Sequence, residues 1–388
     1  MNISETPCFV LDESKVRSSV ANVRLALERY WPNSVLAFSV KTNSWFALQR
    51  ILISEGVWAE VVSDFEYELA IKCGYPKGRL ICNGASKSIN YIRRALRDGA
   101  VLHLESVSEV EELFAQVSDS PVSFGVRVNA TEPDFAAEPV CGLQGSRFGL
   151  SLRDGDFDRL VAILAKHPHA KLVSLHLHCN TKDRGIRGFV WLAGFFARIV
   201  KRYSLNDVVM LDIGGSFGHD FDHPDDGEGR WPSWNEYLAA ISGALHKEGF
   251  FAERLRLVVE PGSGLISGCA DYYTRVVGEH IFNGVRVLQI DGSRIHIDPH
   301  FAREGFNVAC NASYLAGSTC LEKDRIACDS SNVGAQIGDV ICFSKTGAYT
   351  YGMSPIAFIH SAPPVLLLDV NGALQLVLPP SNGWERGL

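Results

Sequence analysis

The chain has 388 residues, 46% hydrophobic and 21% charged, with a formal net charge of −7. That length accommodates a barrel plus a second module. The acidic balance excludes the basic footprint of a nucleic-acid binder, and no apolar run is long enough to span a bilayer.

The opening segment, Met1–Val10, contains Glu5 and Pro7 and has no charged-then-apolar secretory pattern, so a cytoplasmic location is expected. Pro7–Asp12 reads as a short strand. Eight short apolar, β-branched runs follow: Val35–Lys41, Val57–Ser63, Arg79–Gly84, Val101–Glu105, Val122–Asn129, Leu172–Cys179, Val208–Gly215 and Leu255–Pro261. Between them lie segments with apolar residues at helical spacing: Trp45–Glu55, Phe65–Cys73, Ile89–Asp98, Val107–Gln116, Phe157–Lys166, Phe189–Tyr203 and Trp234–Glu248. Strands alternating with helices imply parallel βαβ units. Eight units in series with no nucleotide fingerprint favour a closed (β/α)8 barrel over a doubly wound sheet. After about Ile266 the helices cease. Tyr272–Gly278, Val285–Ile290, Ser293–Ile297, Asp339–Phe343 and Pro364–Asp369 read as strands of an all-β domain. The expected division is therefore a barrel over 30–265 and a β-rich domain made of 1–29 with 266–388. The ten cysteines stand singly, without a C-x-x-C pair. That disfavours a zinc site or redox pair and suits thiols in a reducing compartment.

In a barrel of this class chemistry gathers at the C-terminal ends of the strands, and polar and glycine residues crowd those positions here. Lys41 closes an otherwise apolar run. Alone it reads first as a lysine snorkelling to the surface, but partial desolvation would make it a nucleophilic amine suited to a Schiff base with an aldehyde. Gly214-Gly215-Ser216 ends the seventh run, as a tight turn or as a cradle whose backbone N–H groups and hydroxyl approach a phosphate. Glu260 ends the eighth run, as a rim salt bridge or as the partner of a protonated pyridine nitrogen. His178 ends the sixth, as a satisfied core histidine or as a ring that stacks on a planar group.

Taken together, these positions are similar to the fold-type III pyridoxal 5′-phosphate (PLP) decarboxylases, the ornithine, diaminopimelate and carboxynorspermidine decarboxylase family, over almost the whole chain. The resemblance implies that Lys41, in Phe38-Ser39-Val40-Lys41-Thr42-Asn43, is the Schiff-base lysine and that Glu60 lies near it. It implies that Arg127-Val128-Asn129 and Ser146-Arg147-Phe148-Gly149 are family motifs and that His178 stacks on the cofactor ring. Gly214, Gly215 and Ser216 would hold the phosphate, Glu260 the pyridine nitrogen, and Gly262 and Ser263 would complete the last turn. Gly317-Ser318-Thr319-Cys320, Cys328-Asp329, Gly338-Asp339 and Gly347-Ala348-Tyr349-Thr350 follow the family's order. By that resemblance Cys328 protonates the substrate carbon from the second subunit, Asp329 contacts the distal part of the substrate, and Tyr349 touches the phosphate. A homodimer with two shared sites follows.

The chain also departs from the pattern. Ser263 stands where the family usually has an arginine on the phosphate, so another group must contribute there. Cys179, Asn180 and Thr181 replace a small residue, glycine and serine, with Thr181 keeping a hydroxyl. Arg294, His296, His300 and Arg303 form a basic stretch interrupted by Asp298 and Glu304. If Arg294 and His296 face the pocket, the substrate carries extra carboxylates, as in the related decarboxylases that act on citryl-diamino acid conjugates. If that stretch is merely a solvated loop, Asp329 suits the distal ammonium of a simple diamino acid. A PLP racemase of the alanine racemase type and an inactive decarboxylase homologue acting as a binding protein are the other classes. The spacing to Cys328 favours decarboxylation over the first, and the retained Lys41, His178, Glu260, Cys328 and Tyr349 over the second. The reading is a PLP-dependent amino-acid decarboxylase without a metal, acting on a small molecule, self-associating, and engaging neither nucleic acid nor membrane.

Overall fold

A computed structural model describes residues 3, 5–116, 121–130, 146–178, 184–218, 231–309, 311–328, 332–354 and 359–380. In chain order the first elements are β1 (Cys8–Asp12), α1 (Glu13–Tyr30), β2 (Ser34–Ser39), α2 (Phe46–Ser54), β3 (Trp58–Val61), α3 (Asp64–Cys73), β4 (Leu80–Cys82), α4 (Ile89–Arg97) and β5 (Val101–Leu104). There follow α5 (Val107–Gln116), β6 (Val122–Arg127), α6 (Asp156–Lys166), β7 (Ala170–His176), α7 (Ile186–Arg202), β8 (Met210–Asp212), α8 (Trp234–Lys247) and β9 (Arg256–Val259). The chain divides into two compact units, Arg17–Leu265 and Met1–Val16 with Ile266–Leu388.

In the first unit β2 to β9 form a closed barrel of parallel strands, and β2 pairs with β9 to close it, Ser34 opposite Leu257 and Leu36 opposite Val259. All eight apolar runs are strands, and the expected barrel is the fold observed. The helix α1 had no counterpart in the sequence reading. Its Val16, Val20, Val23 and Leu27 are buried at helical spacing.

Alternation along the strands builds the interior. Val35, Ala37, Ile81 and Val258 pack as one cluster, with Trp58, Val101 and Met210 against it. Two residues further along the same faces stand Ser39, Glu60, Asn83, His103, Asp212 and Glu260, all buried. Six of the eight strands thus place an apolar side chain low in the barrel and a polar one above it. Gly125 serves the same layer by having no side chain. A Cβ there would lie 2.4 Å from His103 Cδ2 and 2.8 Å from Ser174 Cβ, distances that van der Waals packing forbids.

In the second unit β10 (Ala270–Phe282), β11 (Val285–Ile290), β12 (Tyr314–Ala316), β13 (Arg325–Ala327), β14 (Val340–Phe343), β15 (Val365–Leu368) and β16 (Leu374–Leu378) join β1. The sheet order is β13-β12-β11-β10-β1-β15-β16, with β14 also on β10. β1 runs antiparallel to β10 and parallel to β15. Ser293–Ile297, expected as a strand, is instead a helical turn, Arg294–Ile297. Ser293 Oγ accepts from Ile295 N–H at 3.1 Å, and the Asp324 carboxylate accepts from Arg294 N–H at 2.8 Å and from Ser293 Oγ–H at 2.8 Å. Two caps on adjacent amides turn the backbone out of the sheet. Among the described residues no helix is long and apolar enough to cross a membrane.

Candidate active site

The polar layer at the C-terminal ends of the barrel strands forms one connected network. β2 ends at Ser39, and a single 3-10 turn, Val40–Thr42, carries Lys41 beyond it. The Lys41 ammonium donates to Glu60 Oε2 at 2.7 Å and to Ser39 Oγ at 2.6 Å, and Ser39 Oγ–H donates to Glu60 Oε2 at 2.5 Å. The lysine side chain is 42% exposed and Glu60 only 2%. The amine is therefore open to a ligand while its counter-charge is fixed below it.

Asn83 continues the network. Its Nδ2 donates to Glu260 Oε1 at 2.8 Å and to Glu60 Oε1 at 3.3 Å, and its Oδ1 faces His103 Nδ1 at 2.8 Å. With the amide so oriented, Oδ1 accepts from Nδ1–H, and His103 Nε2 accepts the Ser174 hydroxyl at 2.7 Å. Burial, reinforced by Lys87 and Arg127, lowers the His103 pKa to about 3, so the ring is neutral.

At the floor lie His176, Asp212 and Glu260, with ligating atoms within 4.8 Å of one another. His176 Nε2 is 3.8 Å from Glu260 Oε2. Burial, then Asp212 and Glu60, push Glu260 well above the carboxylate range, and burial raises Asp212 to about 7. The two carboxyls interact through a shared proton that favours the acid form of Glu260 and the charged form of Asp212. We place that proton on Glu260. Apart from this shared proton, Asp212 Oδ2 and both ring nitrogens of His176 are buried without a hydrogen-bond partner. Such orphaned polar atoms mark a place for a ligand.

The loops above are tied to this floor. Asp212 Oδ1 accepts from Gly214 N–H at 2.9 Å, Gly215 N–H donates to His178 Nδ1 at 3.3 Å, and Glu260 N–H donates to Gly214 O at 2.9 Å. Gly214 has φ +70°, and a Cβ there would meet His178 Nδ1 at 2.4 Å; at Gly215 it would meet Glu260 O at 2.7 Å. The glycines are thus required for close approach as well as for the turn. Ser216 adopts φ +67°. A Cβ on Gly262 would meet Thr42 Oγ1 at 2.2 Å, which packs the last turn against the lysine-bearing one. Surrounding protein, with Arg127 and Lys41 nearby, lowers His178 to about 3, leaving a neutral ring beside the amine. Arg127 pairs with Glu105 at 3.1 Å and lies over the Phe148 ring at 4.6 Å. Glu105 Oε2 also accepts from Gly149 N–H at 3.0 Å, so the Ser146–Gly149 turn is locked to the barrel.

The barrel therefore brings together Lys41, Glu60, Arg127, His178, Gly214, Gly215, Ser216, Glu260, Gly262 and Ser263. Thr181 and Asp329 lie outside the described residues. Cys328 and Tyr349 belong to the β-rich unit. Cys328 is half-buried just after β13, and Tyr349 is 41% exposed with φ +52°. Arg294 and His296 are buried in that unit. The Arg294 guanidinium binds Asp298 at 2.8 Å, Asn307 Oδ1 at 3.2 Å and the carbonyls of Arg303, Phe306 and Arg325, while His296 Nδ1 meets Tyr272 OH at 2.8 Å. Sequence reasoning passed over Ser39, Asn83, His103, Ser174 and the floor role of His176 and Asp212. Their signal was a polar residue at the inward period of an apolar strand.

An amine over a fixed carboxylate, a buried carboxyl that keeps its proton, a neutral histidine and a glycine loop fit a phosphorylated pyridine aldehyde. Residues 13–267 match the family model of the pyridoxal-dependent decarboxylases, pyridoxal binding domain. The chain is 23% identical over 386 residues to the diaminopimelate decarboxylase of Staphylococcus aureus, spanning 96% of this chain and 90% of that protein. The corresponding Bacillus subtilis enzyme is 24% identical, over 96% and 88%. The structure of diaminopimelate decarboxylase from Helicobacter pylori complexed with L-lysine shares the fold, with a TM-score of 0.81 and 21% identity over 99% of this chain and 98% of that one. The lysine/ornithine decarboxylase of Vibrio vulnificus complexed with cadaverine gives 0.73 and 20% over 93% of each. From the barrel, its polar layer and the match over residues 13–267, the chain belongs to the fold-type III PLP-dependent decarboxylase family and is a PLP-dependent amino-acid decarboxylase.

Proposed function

We propose that the chain removes the α-carboxylate of a diamino acid. The observation that carries the chemistry is the pairing of an open amine at Lys41 with a buried, proton-bearing Glu260. PLP held through Lys41 supplies an electron sink for the pair left when CO2 departs. Lys41 offers its nitrogen, and Glu60 and Ser39 fix where that nitrogen stands. Glu260, which holds a buried proton, would be the residue that holds the pyridine nitrogen, and it would supply that proton while its carboxylate stays as counter-charge. Asp212 and Asn83 hold Glu260 in place. His178, kept neutral, can lie flat against a planar group without adding charge to it.

The substrate class rests on likeness. The relatives are diaminopimelate decarboxylases, and similar solved structures are complexes with L-lysine or cadaverine. A diamino acid also suits Asp329 as the partner of a distal ammonium. With Arg294 bound to Asp298 and His296 to Tyr272, the basic stretch lends less support to a carboxylate-rich conjugate. The homodimer, with Cys328 returning the proton to the α-carbon and Tyr349 on the phosphate, is part of the same proposal.

The test is a product screen by mass spectrometry. PLP-loaded protein is offered ornithine, lysine, meso-diaminopimelate, carboxynorspermidine and a citryl-diaminopropionate conjugate, with chirality read in parallel. CO2 loss from one of the simple diamino acids is expected. Turnover of the conjugate alone, or inversion without CO2 loss, overturns the proposal.

A further inference from the structure

We propose that Arg184 is the cation of the phosphate site, bridging the loops after β8 and β9; this rests on the PLP reading above. In eight-stranded barrels a phosphate commonly sits at the loops after the seventh and eighth strands, which here are β8 and β9. Those loops hold Gly214-Gly215-Ser216-Phe217 and Gly262-Ser263. A phosphate near neutral pH carries close to two negative charges and needs a compensating charge when partly buried. The glycine loop does not meet that need alone. Two of its amides are already engaged, Gly214 N–H with Asp212 and Gly215 N–H with His178. Ser263 offers a hydroxyl and no charge.

Arg184 stands between the two loops. Its Nη1 lies 3.5 Å from Ser263 Oγ and 3.4 Å from Phe217 O. The backbone beneath it is pinned. Tyr237 OH donates to Arg184 O at 2.5 Å and accepts from Gly218 N–H at 3.1 Å. Tyr237 is 2% exposed. It packs edge-on against Phe217 and Phe189, and those two rings stack at 4.4 Å. Arg184 itself has φ +42°, a left-handed conformation uncommon for a residue with a side chain. One buried tyrosine thus fixes both the position of the arginine and the end of the glycine loop. The guanidinium fork suits phosphate oxygens, and Ser263 Oγ beside it adds a neutral hydrogen bond.

The experiment compares two probes on the full chain freed of cofactor: PLP, and pyridoxal, which lacks the phosphate. Both are titrated by the absorbance of the lysine adduct. For Arg184→Met, PLP affinity is expected to fall about 10- to 100-fold, the scale of one charge-assisted hydrogen bond, with pyridoxal affinity unchanged. Arg184→Lys, which keeps the charge, is expected to fall between wild type and Arg184→Met. Adding Ser263→Arg to Arg184→Met is expected to restore PLP affinity selectively. Equal weakening toward both probes, or no weakening toward PLP, overturns the role of Arg184. A wild-type chain that forms no adduct with either probe instead overturns the cofactor reading on which the proposal rests.

Discussion

Replacing Asn83 by Leu keeps the side-chain size and removes both hydrogen-bonding ends of the bridge at the site floor. Asn83 is 2% exposed. Its amide donates to Glu260 at 2.8 Å, and its carbonyl takes His103 Nδ1–H at 2.8 Å. The longer contact to Glu60, at 3.3 Å, adds less. Two buried groups would lose a partner, each at about 1–3 kcal/mol. The new apolar contact offsets part of that, so a net loss of about 2–4 kcal/mol is expected. Urea unfolding of the cofactor-free chain, fitted as a shift in midpoint at constant slope, measures it. The paired variant Asn83→Leu with His103→Leu should lose less than the sum of the singles, because the histidine is then no longer stranded. A single-variant loss below about 0.5 kcal/mol, or strict additivity in the double variant, would refute the bridging role.

Two further outcomes follow from the same geometry. Gly214→Ala places a methyl 2.4 Å from His178 Nδ1 at φ +70°, so PLP should dissociate at least about tenfold faster, equivalent to about 1.4 kcal/mol. Cofactor loss followed by absorbance checks this. Asp212 and Glu260 have pKa values raised by burial, Asp212 to about 7. Folded protein therefore holds protons that unfolded protein has released above about pH 4, and this pair's contribution is present at low pH and lost as pH rises toward 7. Asp212→Asn should remove Asp212's part of that decline and leave the part that belongs to Glu260. Its stability relative to wild type should rise between about pH 4 and 7, by up to about 1.4 kcal/mol per pH unit for one proton. A flat difference over that window would contradict the raised pKa of Asp212. The neutral His103 and His178, both lowered to about 3, act oppositely by losing stability as pH falls below about 6.5, but they are common to both proteins.

The barrel strands were legible because each is a β-branched apolar run closed by glycine or a polar residue. Their helices were legible from period. The helix α1 carries the same signal in Val16, Val20, Val23 and Leu27, but it precedes the first barrel strand and lies outside the alternation that organised the reading. Ser293–Ile297 was misread because its cap comes from Asp324, about thirty residues downstream, and alternation of Ile295 with Ile297 carries no trace of it. In the site, Lys41, His178, the Gly214-Gly215 turn and Glu260 were readable as strand-end residues. The network joining them was not. Ser39, Asn83, His103 and Asp212 meet only because closure of the barrel sets β2 beside β9, a pairing between segments more than 200 residues apart. Arg184 had no local signal, since its meaning comes from two loops elsewhere in the chain.

The most direct test of the account is where the cofactor attaches. PLP-loaded protein is reduced with borohydride, digested, and mapped by mass spectrometry. The account predicts a pyridoxyl group on Lys41 alone, absent in Lys41→Ala together with CO2 release. A pyridoxyl group on another lysine, or near wild-type CO2 release by Lys41→Ala, would contradict it.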